Sequence, residues 1–275
     1  MKTAMSSAMV DTGLGPLKVR RTGAGEPAIL WHSMFVDSET FADVVQELGR
    51  DRELFLIDGP GHGGSPGPRK LYSLQDCATA AAAVMVALNI AGPVDWVGNA
   101  WGGHVGILFA DRFPTRCRTL TTIGTPAYPL PKAMRLKTKL LVNLYRALGP
   151  DPFRKTVTEA LVGHNAATTA PDAARTVSEA FQRGDRRGKY WAMRSLMLRR
   201  PDLRPVLPRI QVPTLMMSGR DDAMNDAGEA ERAAQAMPAG QFLRVPGGGH
   251  VAPLLMASAQ VTGLIREFWS ANRER

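Results

Sequence analysis

The sharpest chemical signal in the chain is Val94-Asp95-Trp96-Val97-Gly98-Asn99-Ala100-Trp101-Gly102-Gly103-His104. It lies where an apolar, strand-like run passes directly into a helix-like one, and so tight a turn needs small residues where backbone and helix crowd each other. Gly98 and Gly102 flank the central residue with the spacing of Gly-x-Ser-x-Gly, the nucleophile elbow, whose serine attacks a carbonyl carbon. Here the central residue is Ala100. A methyl group has no lone pair to donate, so the chain as it stands lacks the expected nucleophile. Three accounts stand side by side: a serine replaced by alanine to trap a substrate, a natural non-catalytic relative, or an enzyme that uses the site differently.

Positioning such a turn takes a layered scaffold, and the first 125 residues have the pattern of one. Pro27–Trp31, Glu53–Ile57, Val94–Val97 and Cys117–Ile123 read as short buried strands. Ser38–Leu48, opened by a serine cap, Ser73–Asn89 and Trp101–Phe113 read as the helices between them. The alternation predicts a largely parallel sheet with helices on both faces. From about Thr125 the period changes. Leu130–Leu148, Pro152–Gly163, Pro171–Gly184 and Asp185–Leu198 read as four helices with no strand between them, before Pro201, Pro205 and Pro208 interrupt the chain. Alternation then returns with a strand at Thr214–Met217, a helix at Asp226–Met237, a strand at Gln241–Val245 and a terminal helix at Pro253–Ala271. The organisation expected is one α/β core, residues 1–125 and 210–275, carrying a helical lid at 126–209.

Charge follows the same division. The 275 residues carry 34 Lys and Arg against 25 Asp and Glu, a net +9. Residues 127–209 hold 17 of the bases and 6 of the acids, net +11, which leaves the remainder at −2. A basic patch is the electrostatic footprint of nucleic-acid binding. The segment, however, has no zinc-finger spacing and no aromatic-interleaved single-strand motif, so no nucleic-acid partner is expected. Its charge reads instead as a solvated helical surface, or as attraction for an anionic substrate or lipid headgroup. A hydrophobic content of 44% argues against disorder. Two cysteines, Cys77 and Cys117, make neither a disulfide framework nor a four-thiolate zinc site. The most apolar stretch, Cys77–Leu88, is too short to span a bilayer, and the N-terminal residues lack a signal peptide's apolar segment. A soluble, cytoplasmic protein is expected, and its oligomeric state is not encoded in any of these features.

Five segments in order, LWHSMF at 30–35, DGPGHGGS at 58–65, VGNAWGG at 97–103, SGRDDAM at 218–224 and VPGGGH at 245–250, make the chain resemble an α/β-hydrolase fold protein over nearly its whole length. In that family a helical lid is inserted between the sixth and seventh strands. The chain order nucleophile, acid, histidine is met by Ala100, an aspartate and His250. The resemblance places the acid at Asp222, three residues beyond Gly219, rather than at Asp221, which then caps the following turn. The family's other acid position, after the sixth strand, holds Thr125. His250 follows three glycines, where a pliant loop can bring an imidazole to the elbow as general base and then acid. Asp222 would orient it. The backbone amides of Met34 and Trp101 are implied as the oxyanion hole. Ser33 stands where the commoner pattern has glycine, so its hydroxyl faces the oxyanion or ligand, or bonds locally in the turn. His32, His62, His104 and His164 are expected to be structural.

The activity implied is serine-type hydrolysis of a small to medium hydrophobic carboxylic ester or lactone, with Ala100 marking an inactive or impaired form. A carbon–carbon bond hydrolase of a diketone-like substrate and a non-catalytic binding protein of the same fold are the alternatives. No cofactor is expected. The glycines of DGPGHGGS make neither a P-loop nor a dinucleotide fingerprint, and His32, His62 and Asp58 are not spaced as a metal motif. In the lid, Met134, Leu140, Leu144 and Tyr145 fall near one helical face, as do residues from Tyr190 to Leu198. Met134 and Trp191 are therefore expected to line the substrate pocket.

Overall fold

A computed structural model describes residues 5–247 and 249–273. Eight strands form one sheet in the order β1-β2-β4-β3-β5-β6-β7-β8. They are β1 (Ser6–Thr12), β2 (Gly15–Gly23), β3 (Glu26–Trp31), β4 (Arg52–Ile57), β5 (Val94–Asn99), β6 (Cys117–Ile123), β7 (Thr214–Gly219) and β8 (Gly240–Val245). From β3 onward all pairings are parallel, whereas β1 and β2 pair antiparallel with each other and β2 pairs antiparallel with β4. Strands β5 and β7 are buried along their whole length and β3 from Ala28 onward, which is why they read as continuous apolar runs.

Helices α1 (Ala42–Leu48), α2 (Leu74–Ala87), α3 (Trp101–Arg112), α9 (Ala227–Gln235), α10 (Ala252–Met256) and α11 (Ser258–Ala271) cover the sheet. Two apolar clusters mark its two faces. One gathers Trp31, Trp96, Phe55 and the alanines of α2, and the other gathers Leu30, Leu56, Val97, Met217 and Trp269. Helix α2 begins at a capping box, Ser73 bonding the Asp76 amide while the Asp76 carboxylate returns to the Ser73 amide. Across the sheet a buried charge cluster ties three strands. Asp95 on β5 accepts from Arg52 Nε of β4 at 2.7 Å, and from Arg118 Nε and Thr119 Oγ1 of β6 at 3.1 and 2.8 Å.

Between β6 and β7 the chain leaves the sheet for a lid of five helices: α4 (Lys132–Leu148), α5 (Arg154–Val162), α6 (Ala166–Thr169), α7 (Pro171–Gln182) and α8 (Arg186–Ala192). Helix α8 runs on into a π-turn at Met193–Met197, closed by Leu198 N donating to Met193 O. Much of the lid's positive charge is spent holding it together and to the core. Arg183 makes a two-pronged contact to the buried Asp37, at 2.9 and 3.2 Å. Arg69 of the core pairs with Asp185 at 2.8 Å. Lys189 donates to the carbonyls of Ala180, Phe181 and Arg183 at the end of α7, and Arg186 to those of Arg146 and Ala147 at the end of α4.

Four features depart from the sequence reading, the first being that Asp37, not Ser38, caps the helical segment after β3, accepting from the Glu39 amide. The β1–β2 hairpin was not expected: β1 buries only Val10, so it shows no alternation, and β2 buries just Leu17, Val19 and Thr22 among glycines and basic residues. The four-residue helix α6 is additional. The terminal helix is two helices, broken at Ala257, where φ is −131°. Gly248 of the VPGGGH segment lies outside the described residues. Among the described residues no helix is long and apolar enough to cross a membrane.

Asp95 is fully buried and Arg52 is 2% exposed, so removing one partner strands a charge in the core. Asp95→Ala is expected to cost about 3–5 kcal/mol in urea denaturation. Arg204→Ala, which breaks only the surface pair with Asp202, is expected to leave the midpoint in place. Equal effects of the two substitutions would contradict this account of the sheet.

Candidate active site

The elbow is enforced by crowding. A Cβ on Gly98 would sit 2.2 Å from the Gly102 carbonyl, and one on Gly102 would sit 1.8 Å from the Trp31 carbonyl oxygen of β3. With that space empty, β5 turns into α3 through Ala100, whose φ of 48° and ψ of −100° are unusual for a residue with a side chain. Such strain persists only where the surroundings hold it, and they do. Ala100 N donates to Ile123 O at 2.8 Å, Gly102 N to His32 O at 3.1 Å, and Trp96 Nε1 to Gly102 O at 3.0 Å. Trp101 is the first residue of α3, where the helix offers its amide no acceptor.

Facing the elbow, the loop after β8 carries His250. Its Nδ1 lies 2.8 Å from Asp222 Oδ2, and both side chains are buried. Asp222 is itself held by its turn, Oδ1 accepting from Met224 N at 2.9 Å. Asn99, next to the elbow residue, donates from Nδ2 to the His250 carbonyl at 2.9 Å and to that of Ile123 at 3.0 Å. A single amide thus joins the elbow, β6 and the histidine loop. Gly124 follows β6 with a φ of +58°, and a Cβ there would stand 3.2 Å from Asp222 Oδ2 and 3.3 Å from His250 Nδ1. The residue that closes β6 must therefore be both left-handed and bare.

The third wall is the turn after β3. His32 Nε2 accepts from Gly59 N at 2.8 Å, and His62 Nε2 accepts from Phe35 N at 3.2 Å, so two imidazoles fasten the Ser33–Phe35 turn to the glycine-rich loop. Asp58 braces that loop in turn, accepting from Ser38 N at 3.0 Å and Gly64 N at 2.8 Å. His104 Nε2 is 2.9 Å from Pro126 O. These three histidines are buried, and burial pushes each below the usual imidazole range. For His62 the neighbouring His32 and Lys189 add to the effect, and for His104 the Arg200 guanidinium does.

Ser33, Met34, Ala100, Trp101 and His250 line one cavity of about 90 Å³, with Asp222 behind the imidazole. The Trp101 indole packs edge-on to Trp31 and His32 beneath the lid. Two pocket assignments made from the lid's helical periodicity need correction. Met134 is 54% exposed, because α4 buries Val142 and Tyr145 and leaves its other apolar residues outward. Trp191 packs against Tyr190 and under Arg194 instead of lining the cavity. The lid and its edges instead contribute Leu130, Leu161, Leu196, Met197 and Arg200, and the turn after β7 contributes Met224. Leu196 and Met197 fall within the Tyr190–Leu198 segment singled out from the sequence, whereas Leu130, Leu161, Arg200 and Met224 were missed, as were Asn99 and Gly124. Asn99 alone had a signal, being a polar residue inside an otherwise apolar strand–turn junction. His164 is exposed on the lid. Among the described residues no group of three or more His, Cys, Asp or Glu is arranged to hold a metal ion.

The alpha/beta hydrolase fold family matches residues 26–255, and the chain belongs to that family. Among curated proteins it is 29% identical to a pimeloyl-[acyl-carrier protein] methyl ester esterase of Xanthomonas oryzae pv. oryzae, over 90% of this chain and 96% of that one. It is 25% identical to a poly(3-hydroxyalkanoate) depolymerase of Ectopseudomonas oleovorans, over 90% and 86%. Among solved structures, a thermophilic esterase from Thermogutta terrifontis superposes with a TM-score of 0.88 at 24% identity, covering 97% of this chain and 98% of that one. The enol-lactonase from Burkholderia xenovorans LB400 gives 0.87 at 21%, covering 96% and 100%. These two structures are similar in fold.

The buried histidines set a pH dependence of stability. Their pKa values are depressed in the folded chain, so the unfolded chain binds more protons once the pH falls below the ordinary value of 6.5. Stability is expected to drop on acidification below about pH 6.5, by up to about 1.4 kcal/mol per pH unit for each histidine that stays neutral. Urea midpoints at pH 7.5 and 5.5 measure it, and His62→Asn should flatten the slope. A midpoint unchanged between those pH values would refute the assignment.

Proposed function

We propose that this family member is built for serine-type hydrolysis of a small to medium hydrophobic carboxylic ester or lactone, with alanine standing at the nucleophile position. The observation that carries the reading is the convergence of the strained Ala100 elbow with the His250–Asp222 pair, 2.8 Å apart, on one cavity. The esterase and depolymerase among the relatives support the same reaction class. In this reading residues 126–209 are the lid over a core of 1–125 and 210–275.

With serine at position 100, its oxygen would attack the substrate carbonyl carbon while His250 Nε2 takes the hydroxyl proton. Asp222, bonded to Nδ1, keeps the tautomer with Nε2 free and balances the imidazolium once formed. The carbonyl oxygen, now negative, would be held by the amides of Met34 and Trp101. Collapse expels the alkoxide, which takes the proton from His250. Water, deprotonated by the same imidazole, then releases the acid and regenerates the serine. No step calls on a cofactor. Ala100 itself favours a second reading for the chain as it stands, namely ligand binding without turnover, since nothing at the elbow forms the covalent bond.

The Ala100→Ser variant is expected to hydrolyse p-nitrophenyl butyrate or a small lactone at least about 10³-fold faster than the unaltered chain. Adding His250→Ala should remove the gain. A folded, ligand-binding serine variant with no gain would sink the hydrolase reading and leave binding alone.

A further inference from the structure

Arg200 is an uncompensated cation on the wall of the same cavity. It follows the π-turn at the end of the lid helices, where one extra residue in the hydrogen-bonded ring shifts the helical phase. Leu196, Met197 and Arg200 all line the space shared with Ala100 and His250. Of its other neighbours on that wall, Met34, Leu130, Leu161 and Met224 carry no charge, and His104 is held neutral by burial and by the Arg200 charge itself.

Three other arginines with largely covered side chains are each matched with carboxylates: Arg52 with Asp95, Arg118 with Asp95 and Glu26, and Arg20 with Glu39. Arg200 has no carboxylate among the described residues bearing on it. The Tyr128 phenol lies near it, and its Nε is buried with no acceptor. Burial pulls the guanidinium down to about 10, so it still carries its proton and its charge at neutral pH. A guanidinium desolvated without a counter-ion opposes folding. An anion entering the cavity would remove that penalty, and a carboxylate matches the fork of donors two bonds at a time. In a cavity of about 90 Å³ a ligand seated against the elbow lies close to every wall. The lid's net charge of +11 would favour the approach of such a ligand.

We propose that Arg200 selects substrates bearing a carboxylate apart from the scissile carbonyl, so that the site takes monoesters of dicarboxylic acids or carboxylate-bearing lactones in preference to neutral esters. This rests on the hydrolase reading for the word substrate, but the anion site itself does not depend on turnover. Because Ala100 cannot form an acyl bond, the unaltered chain reports binding directly.

Isothermal titration of the unaltered chain with monomethyl succinate, glutarate and adipate, each against its dimethyl ester, tests the proposal. At least one monoester is expected to bind about tenfold or more tightly than its diester, and less tightly as salt is raised. Arg200→Gln should bring that monoester down to the level of the diester, and Arg200→Lys should retain part of the preference. Equal affinities, no binding of any monoester up to about 10 mM, or a preference that survives in folded Arg200→Gln would overturn it. The first two comparisons need no variant, so misfolding of Arg200→Gln does not shield the proposal. Turnover by Ala100→Ser separates the two readings. Charge-selective binding with no turnover removes the hydrolase and keeps the anion site, while turnover with no charge preference does the reverse.

Discussion

Between Gly98 and Gly103 the backbone of one strand-to-helix turn runs into contact with the carbonyl end of the neighbouring strand. The Trp31 carbonyl occupies the place where a side chain at 102 would lie, and the Gly102 carbonyl the place of one at 98. Everything functional about the elbow follows from that closeness. It fixes Ala100 in a conformation that unstrained chains avoid and exposes the first amide of α3. It also draws the turn after β3 alongside, through the bond from Gly102 N to His32 O. A hydroxyl at position 100 would inherit this placement without further construction, which is why replacing one methyl hydrogen by a hydroxyl is a meaningful experiment on this scaffold.

The charge distribution has a mechanical side that composition alone conceals. A net +11 over the lid suggested a basic surface, yet several of its cations point inward or across. Lys189 closes the end of α7, Arg186 closes the end of α4, and Arg183 reaches the core at Asp37. For Asp37, burial alone would raise the carboxyl pKa, but the Arg183 bonds and charge outweigh it and hold the group below its ordinary value. That contact therefore helps above the usual carboxylate range and is lost as acid titrates Asp37. The short lid helices are tied down by side chains to backbone carbonyls, as well as by their apolar faces.

How much could be read from the residues depended on whether the signal was local. The parallel strands and their helices were legible because burial on both faces leaves unbroken apolar runs, and because Ser73 and Gly98–Gly103 punctuate the chain by composition alone. The elbow, the turn at Ser33–Met34 and the loop of His250 were legible as ordered segments, and the structure brings them to one cavity. The β1–β2 hairpin was not, since an edge hairpin that buries few residues has no pattern to show. Nor was the pocket's lid side. Periodicity separates an apolar face from a polar one, but it does not say whether that face meets the core or solvent, and Met134 lies outside while Leu196 lies within. Arg200 was hidden for a related reason. In the sequence it is one base among many, and only its place on the cavity wall, with a buried Nε that lacks an acceptor, sets it apart.

The amide of Val251, next to His250, donates to the carbonyl of Leu161 at the end of α5, and the two residues share an apolar cluster with Val36 and Val162. The lid is thus one of the struts of the histidine loop. Any excursion that lifts α5 to admit a bulky ligand also removes a strut beside the imidazole, so access and alignment draw on the same few contacts. In an enzyme made on this plan, lifting α5 would leave the imidazole loop to its contacts with Asn99 and Asp222. Substitutions at Leu161 or Val251 would then alter the coupling between entry and alignment, which neither the cavity's shape nor the imidazole's partners alone would reveal.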